Sequence, residues 1–277
     1  MHEGHVQKKI LGQAEYPSRP DLAWRQAGKR RREAAGLEIR PSVGEPLLRS
    51  ERLSRNSRVG HVFGGADLDV GASLSTSVRR FHLERIVQSL DATATCEHAV
   101  FVHQVHGATA VRLHAPGGLS PVGHADALVT DVPGVVLVIQ TADCVPILVA
   151  GEHAVAAIHA GWRGLAAGVV AAAMALMRSL DAGPFVAAVG PRISAAAFEV
   201  GDEVVTALGS LAFTTGRSAR GRPLIDLGAG CARALAAEGV ADIDVLDVCT
   251  VHTPGWCSFR RDGVGAGRAA SAILRRA

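Results

Sequence analysis

Aromatic residues are scarce in this chain of 277 residues: they make up 4%, with seven Phe, three Trp and one Tyr. That poverty argues against modules that read nucleic acid by stacking bases on aromatic platforms. It also means that a core must be built from Ala, Val, Leu and Ile. Long apolar runs are missing too. The longest, "LAAGVVAAAMALM" at 165–177, is too short and too rich in Ala to cross a bilayer. The opening "MHEGHVQKKI" is charged and has no continuous apolar stretch, which excludes a secretory signal there. Cysteines are few: Cys96, Cys144, Cys231, Cys249 and Cys257. Their number is odd and no two form a CxxC pair, so a disulfide framework is not expected. The spacing suits a reducing compartment, where thiols serve as ligands, nucleophiles or core filler. These absences together lead us to expect a cytoplasmic protein that engages neither membrane nor nucleic acid.

What is present is unevenly distributed. Residues 1–58 hold 13 Lys/Arg against 7 Asp/Glu, whereas the remainder holds 16 against 19. The basic character thus belongs to the N-terminal segment, including Lys29-Arg30-Arg31-Arg32, which reads as a solvated face. Residues 1–45 are expected to be a weakly ordered basic extension. Within them "DLAWRQAGKRRREAAG" suits a short helix stopped at Gly36. Residues 46–277 are expected to form the catalytic domain.

Along that domain the apolar periodicity alternates between strand and helix. "VGHVFGG" opens the body near Val59. "SVRRFHLERIVQSL" (77–90) places Val78, Phe81, Ile86 and Leu90 at helical spacing. "HAVFVHQVHGATAVRL" alternates like strands around a Gly turn. "GVVLVIQT", "VPILVAG" and "AVAAIHAG" are continuous apolar runs, as in strands buried on both faces. The spacing predicts helices over 165–180, 199–211 and 224–240, strands over 185–193 and 243–253, and a closing helix in "GAGRAASAILRRA". The expected class is α/β (α+β), a single multilayer domain of mixed sheets flanked by helices.

Three polar residues punctuate these runs: His106 in "HQVHG", Cys144 in "TADCVP" and His159 in "IHAGWRG". Each stands at a strand end beside Gly or Pro, where distant positions can converge on a cleft. Two imidazoles and a thiolate match a zinc site that keeps a fourth position open, and zinc lowers the pKa of a water bound there. Copper accepts the same donors. The spacing also allows Cys144 to be a nucleophile with His159 as its base, or both to be ordinary core residues. Asp143, beside Cys144, is a candidate to orient a ligand from behind, and Asp126 divides evenly between that role and a strand cap. Arg163, at a helix start, and Arg260 in "FRRD" are candidates to hold substrate or phosphate. "GVGAG" (263–267) lacks a following βαβ unit and is not a dinucleotide loop.

"QVHG", "TADCVPIL", "HAGWRG", "GPRI…FEVG" and "CSFRRDG…GR" occur in that order. With these motifs the chain, over about residues 99–270, resembles the YfiH-like family, also described as multicopper polyphenol oxidoreductases, laccase-domain proteins or purine nucleoside phosphorylases. The resemblance implies a YfiH-like fold distantly similar to a Cys-His hydrolase toxin fold. It implies a zinc ion held by His106, Cys144 and His159. It implies phosphorolysis of adenosine, inosine and methylthioadenosine with purine nucleoside and phosphate as substrates, and deamination of adenosine. The laccase name implies copper and phenol oxidation instead, but the matched motifs supply two His and one Cys where a laccase needs several copper sites. A Cys-His hydrolase or amidase acting on cell-wall precursors is a further alternative. Upstream the chain departs from the family pattern "HGFSTRxGGVS". In "HVFGGADLDVGASLSTSVRRF", His61, Phe63, Gly64 and Gly65 align roughly, and the Arg of the motif is missing.

Overall fold

The computed structural model describes residues 47–277; the basic extension, with its expected helix, lies outside the described residues. Chain order gives β1 (Leu47–Leu48), α1 (Glu51–Ser54), β2 (Val59–Gly64), α2 (Thr76–Leu90), β3 (Ala99–Val100), β4 (Ala110–Arg112), β5 (Ala127–Thr130), β6 (Val136–Thr141), β7 (Val145–Ala150) and β8 (Val155–Ala160). There follow α3 (Trp162–Ala166), α4 (Val169–Leu180), β9 (Val186–Val189), α5 (Asp202–Leu208), β10 (Thr214–Arg217), β11 (Pro223–Ile225), α6 (Leu227–Ala237), β12 (Asp242–Val245), α7 (Phe259–Asp262) and β13 (Ala269–Arg275).

Two mixed sheets result, of strand order β1-β2-β13-β6-β3 and β12-β9-β7-β8-β5-β4, with β10-β11 as a separate hairpin. They pack face to face, and helices cover both outer faces. The alternation of side chains along each strand produces these layers. In β7, Val145, Ile147 and Val149 face α4 and α6, while Leu148 and Ala150 face the other sheet. β8 divides likewise: Ile158 faces α4, and Val155 and Ala157 face inward. Both faces of these strands are dry, which is why their sequences read as unbroken apolar runs. The outer face of the five-stranded sheet is sealed by Leu83, Ile86, Val87 and Leu90 of α2. The expectation for α2 needs correction here: Val78 and Phe81 are exposed, and Leu83 and Val87 take the buried stripe.

Other elements also differ from the sequence-based expectation. The closing segment is a strand, not a helix: β13 pairs antiparallel with both β2 and β6. Its Ala residues favour a helix in isolation, but Ala270, Ala272 and Leu274 fit under α2 while Ile273 fits between the sheets, and such context overrides propensity. The helix expected over 165–180 is two helices, because Gly168 takes a left-handed conformation (φ 88°) between them. The helix expected over 224–240 begins only at Leu227, capped by the Asp226 side chain on the amide of Ala229. Residues 223–225 are strand, and the expected strand over 243–253 ends at Val245.

His61 in β2 is buried and accepts a hydrogen bond from the Ser50 amide at Nε2 (2.9 Å). Burial, aided by the nearby Arg49 charge, holds its pKa down at about 4. The fold therefore binds the neutral ring. A histidine whose folded pKa lies below its unfolded value of 6.5 contributes its full stability above pH 6.5 and loses it as pH falls towards 4. That contribution is roughly 3 kcal/mol at neutral pH. Urea denaturation at pH 7 and pH 4 is expected to show a larger loss for the native chain than for His61→Gln; equal losses would show that His61 does not titrate in this way.

Candidate metal centre

The site begins with a carboxylate. Asp126 precedes β5 and is fully buried. Its Oδ2 accepts from the amides of Gly107 (2.7 Å) and Val105 (3.2 Å), and Oδ1 from the amide of His106 (3.0 Å). Three amides converging on one side chain fold the loop between β3 and β4 into a tight turn. The turn forces His106 to φ 59°, a conformation that costs a residue with a Cβ. Asp126 Oδ1 also accepts from Nδ1 of His159 (2.8 Å). That bond fixes the His159 tautomer and leaves Nε2 available as a donor atom. Burial opposes the ionised form of Asp126, but His159 and the loop amides outweigh it and hold the carboxyl below the ordinary carboxylate range.

His159 stands one residue before the end of β8, on the same strand face as Val155 and Ala157, directly opposite Pro146 of β7. Cys144 lies in the bend between β6 and β7, after Asp143, which itself has φ 85°. The three donor atoms of His106, Cys144 and His159 lie within 4.8 Å of one another. Cys144 Sγ is 3.8 Å from His106 Nε2, and the two imidazoles meet edge to face with centroids 4.8 Å apart. Tetrahedral zinc with two imidazoles and a thiolate needs donor separations of roughly 3.5 Å. The donor set therefore fits a zinc-sized ion after small side-chain adjustment.

Electrostatics favour a Cys144 thiolate beside a protonated His159, a pair that would release the Nε2 proton on binding a metal. Burial disfavours the Cys144 thiolate, yet hydrogen bonds from His106 and His159 lower its pKa below the ordinary thiol value. Burial likewise disfavours protonated His159, and Asp126 and Cys144 raise its pKa nonetheless. Cys96, Cys231 and Cys257 go the other way, pushed up by burial to about 11, 12 and 12. All five cysteines are free.

Gly161 completes the cradle. A Cβ there would stand 2.9 Å from Cδ2 of His106 and 3.2 Å from Cys144 Sγ. Its φ of −73° suits any residue, so the need for glycine is space alone. Gly161→Ala is expected to leave the fold intact at a cost of about 1–3 kcal/mol while spreading the donors. Zinc titration of the purified variant should show weaker binding than the native chain, and unchanged affinity would mean the cradle is not the metal's.

The cluster lines a cleft of about 810 Å³. Four aromatic side chains, Phe101, Trp162, Phe198 and Phe259, share its wall, out of eleven in the whole chain. Of the remaining expected residues, Asp143 is buried and lines the cleft, but its carboxylate accepts from Thr250 Oγ1 (2.5 Å) and the Arg260 amide (2.6 Å). It thereby ties the turn at Cys144 to α7, and the carboxylate that touches His159 is Asp126. Arg163 is exposed and lies over the Trp162 ring at 4.2 Å. Arg260 lines the cleft with Nη1 and Nη2 donating to the carbonyls of Ala197 (3.0 Å) and Glu199 (3.3 Å). His103 stacks against His124 at 5.1 Å, outside the three-donor cluster. The cleft is also lined by Arg79, which the sequence did not single out, and by Arg268, which stands in the "GR" of the last family motif without an assigned role. Nothing local distinguishes Arg79 from a surface arginine.

A layered α/β protein with paired sheets and one compact His–Cys–His cluster in a deep cleft is the class that fold and site define. The chain belongs to the multi-copper polyphenol oxidoreductase laccase family, whose model matches residues 70–276. It is 40% identical over 170 residues to a purine nucleoside phosphorylase of Streptomyces coelicolor, covering 59% of this chain and 69% of that one. It is 35% identical over 242 residues to a purine nucleoside phosphorylase of Deinococcus radiodurans, covering 81% and 91%. Among solved structures, YlmD from Geobacillus stearothermophilus shares the fold at a TM-score of 0.75 and 24% identity, covering 86% of this chain and 99% of that one. A Neisseria meningitidis protein aligns at a TM-score of 0.69 and 30% identity, covering 84% and 99%. No helix among the described residues is long and apolar enough to cross a membrane.

Proposed function

We propose that this chain is a zinc-dependent purine nucleoside enzyme, which phosphorolyses adenosine, inosine and methylthioadenosine and deaminates adenosine. The observation that carries this reading is the buried Asp126–His159 pair, which turns one ring nitrogen of His159 towards Cys144 and His106 in a cleft walled by aromatic rings. The names of the curated relatives support the substrate class. His106, Cys144 and His159 would hold the ion. When bound, zinc supplies a Lewis acid beside the substrate.

The chain's own residues perform the rest. Trp162, Phe198 and Phe259 offer faces and edges against which a flat purine packs, and the cleft has room for a nucleoside together with phosphate. Asp126 holds His106 and His159 in place, so no donor must reorganise during turnover. In phosphorolysis a phosphate oxygen bonds to the anomeric carbon as the bond to the purine breaks. The electron pair leaves with the purine, which takes up a proton. In deamination the oxygen of a water replaces the exocyclic amine, which leaves as ammonia.

The test is a product assay. Zinc-loaded protein is incubated with adenosine, with and without phosphate, and adenine, inosine and hypoxanthine are resolved. Adenine formed only with phosphate, or inosine formed without it, is the expected result. Protein with one bound zinc that forms neither would sink the reading. A second reading has its own observation: Cys144, His159 and Asp126 form a thiol–imidazole–carboxylate series, as in Cys-His hydrolases. A chelator separates the two, because it stops the nucleoside enzyme and spares a hydrolase. Copper at the same donors would reveal itself by metal analysis and by oxygen consumption with a phenol. The described residues supply one three-donor cluster, which favours the zinc reading.

A further inference from the structure

We propose that Arg79 and Arg268 together form the phosphate-binding part of the cleft, in place of the two arginines singled out by sequence. The identity of the phosphate rests on the nucleoside reading above; the site itself does not. Both side chains line the same cleft as the His–Cys–His cluster. They come from distant parts of the chain, Arg79 from α2 and Arg268 from the turn before β13.

One short segment clamps them together. Asp69 Oδ1 accepts from the amides of Arg268 (2.7 Å) and Gly71 (2.7 Å). The Val70 amide donates to the Arg268 carbonyl (3.0 Å), and the Val70 carbonyl accepts Nε of Arg79 (3.1 Å). Nη1 of Arg268 donates to the carbonyls of Ala266 (2.8 Å) and Gly267 (2.9 Å). Each guanidinium is thus oriented by neutral backbone acceptors through part of its edge. Nη2 of Arg268 and both Nη atoms of Arg79 have no partner among the described residues, and no carboxylate there lies within ion-pair distance of either group.

Two permanently charged, half-buried guanidiniums without an ion-pair partner offer their unused donors to an anion that enters the cleft. Arginine forks match the oxygens of phosphate in geometry as well as charge. The cleft supplies no free carboxylate to compete: Asp143 is the one carboxylate among its lining residues, and both its oxygens are engaged. The alternatives are less suited. Arg260 spends Nη1 and Nη2 on carbonyls. Arg163 is exposed at the rim, where solvent screens its charge.

Zinc-loaded native protein, Arg79→Gln, Arg79→Lys and Arg163→Gln are titrated calorimetrically with inorganic phosphate and, separately, with adenosine 5′-monophosphate. The KM values for phosphate and adenosine are measured alongside. Arg79→Gln is expected to weaken phosphate binding at least tenfold and to raise the phosphate KM equally, with the adenosine KM held within twofold. Arg79→Lys, which keeps the charge and loses the fork, should fall between. Binding of the monophosphate that depends on Arg79, without competition from inorganic phosphate, would support the site and assign it to a ligand's own phosphate. Phosphate binding unchanged in Arg79→Gln, or weakened by Arg163→Gln instead, would overturn the proposal. Should the native protein release no base from adenosine, the nucleoside reading fails, while the titrations still decide whether Arg79 holds phosphate.

Discussion

Replacing Cys144 by alanine is expected to abolish product formation from adenosine and to remove bound zinc. Sγ is the one soft donor in the cluster, and its two neighbours are imidazoles that a zinc ion would share with solvent once the thiolate is gone. Loss of an outer partner costs roughly 10–100-fold in metal affinity, and loss of a direct ligand should exceed that. The fold should survive. Cys144 sits in a bend outside the strands, and removing the thiol takes away one atom at the edge of a cleft. Zinc content by mass spectrometry, activity and melting temperature together check the prediction. A variant that retains one zinc per chain and full turnover would show that Cys144 is neither ligand nor catalyst.

Asp126→Ala should be the most damaging single change to site and fold at once. The carboxylate accepts from three loop amides and from Nδ1 of His159. Removing it leaves His159 Nδ1 without a partner in the buried interior and frees three amides of a part-exposed loop, at a cost of about 3–5 kcal/mol in all. The left-handed turn at His106 loses what holds it, and the His159 ring loses its fixed tautomer. Zinc affinity is expected to fall by roughly 10–100-fold, and denaturation in urea should show the loss of stability without metal present. Destabilisation with native zinc affinity would mean that Asp126 braces the loop alone. The reverse would mean that it orients His159 alone.

Sequence alone determined the layers and the strands that carry the site. Apolar runs such as "VPILVAG" and "AVAAIHAG" have to be dry on both faces, because every residue of a strand faces one side or the other and none of theirs tolerates water. Breaks in those runs marked Cys144 and His159, since a polar group at a strand end is where a buried sheet meets a cleft. His106 was legible from its place in a Gly turn and from the ordered motifs. What sequence could not decide depended on contacts between distant segments. "AASAILR" became a central strand because two sheet neighbours and a covering helix outbid the helical preference of alanine. Asp126 rather than Asp143 backs His159, although Asp143 adjoins Cys144 in the chain. The β5–β8 pairing brings Asp126 to the ring, whereas Asp143 turns to Thr250 and α7. Arg79 and Arg268 gain their meaning from Val70, which docks both in one cleft. Local pattern reports which residues need burial or a bend; only tertiary structure reports which charges are left to face each other there, because electrostatic pairing follows distance in space and not along the chain.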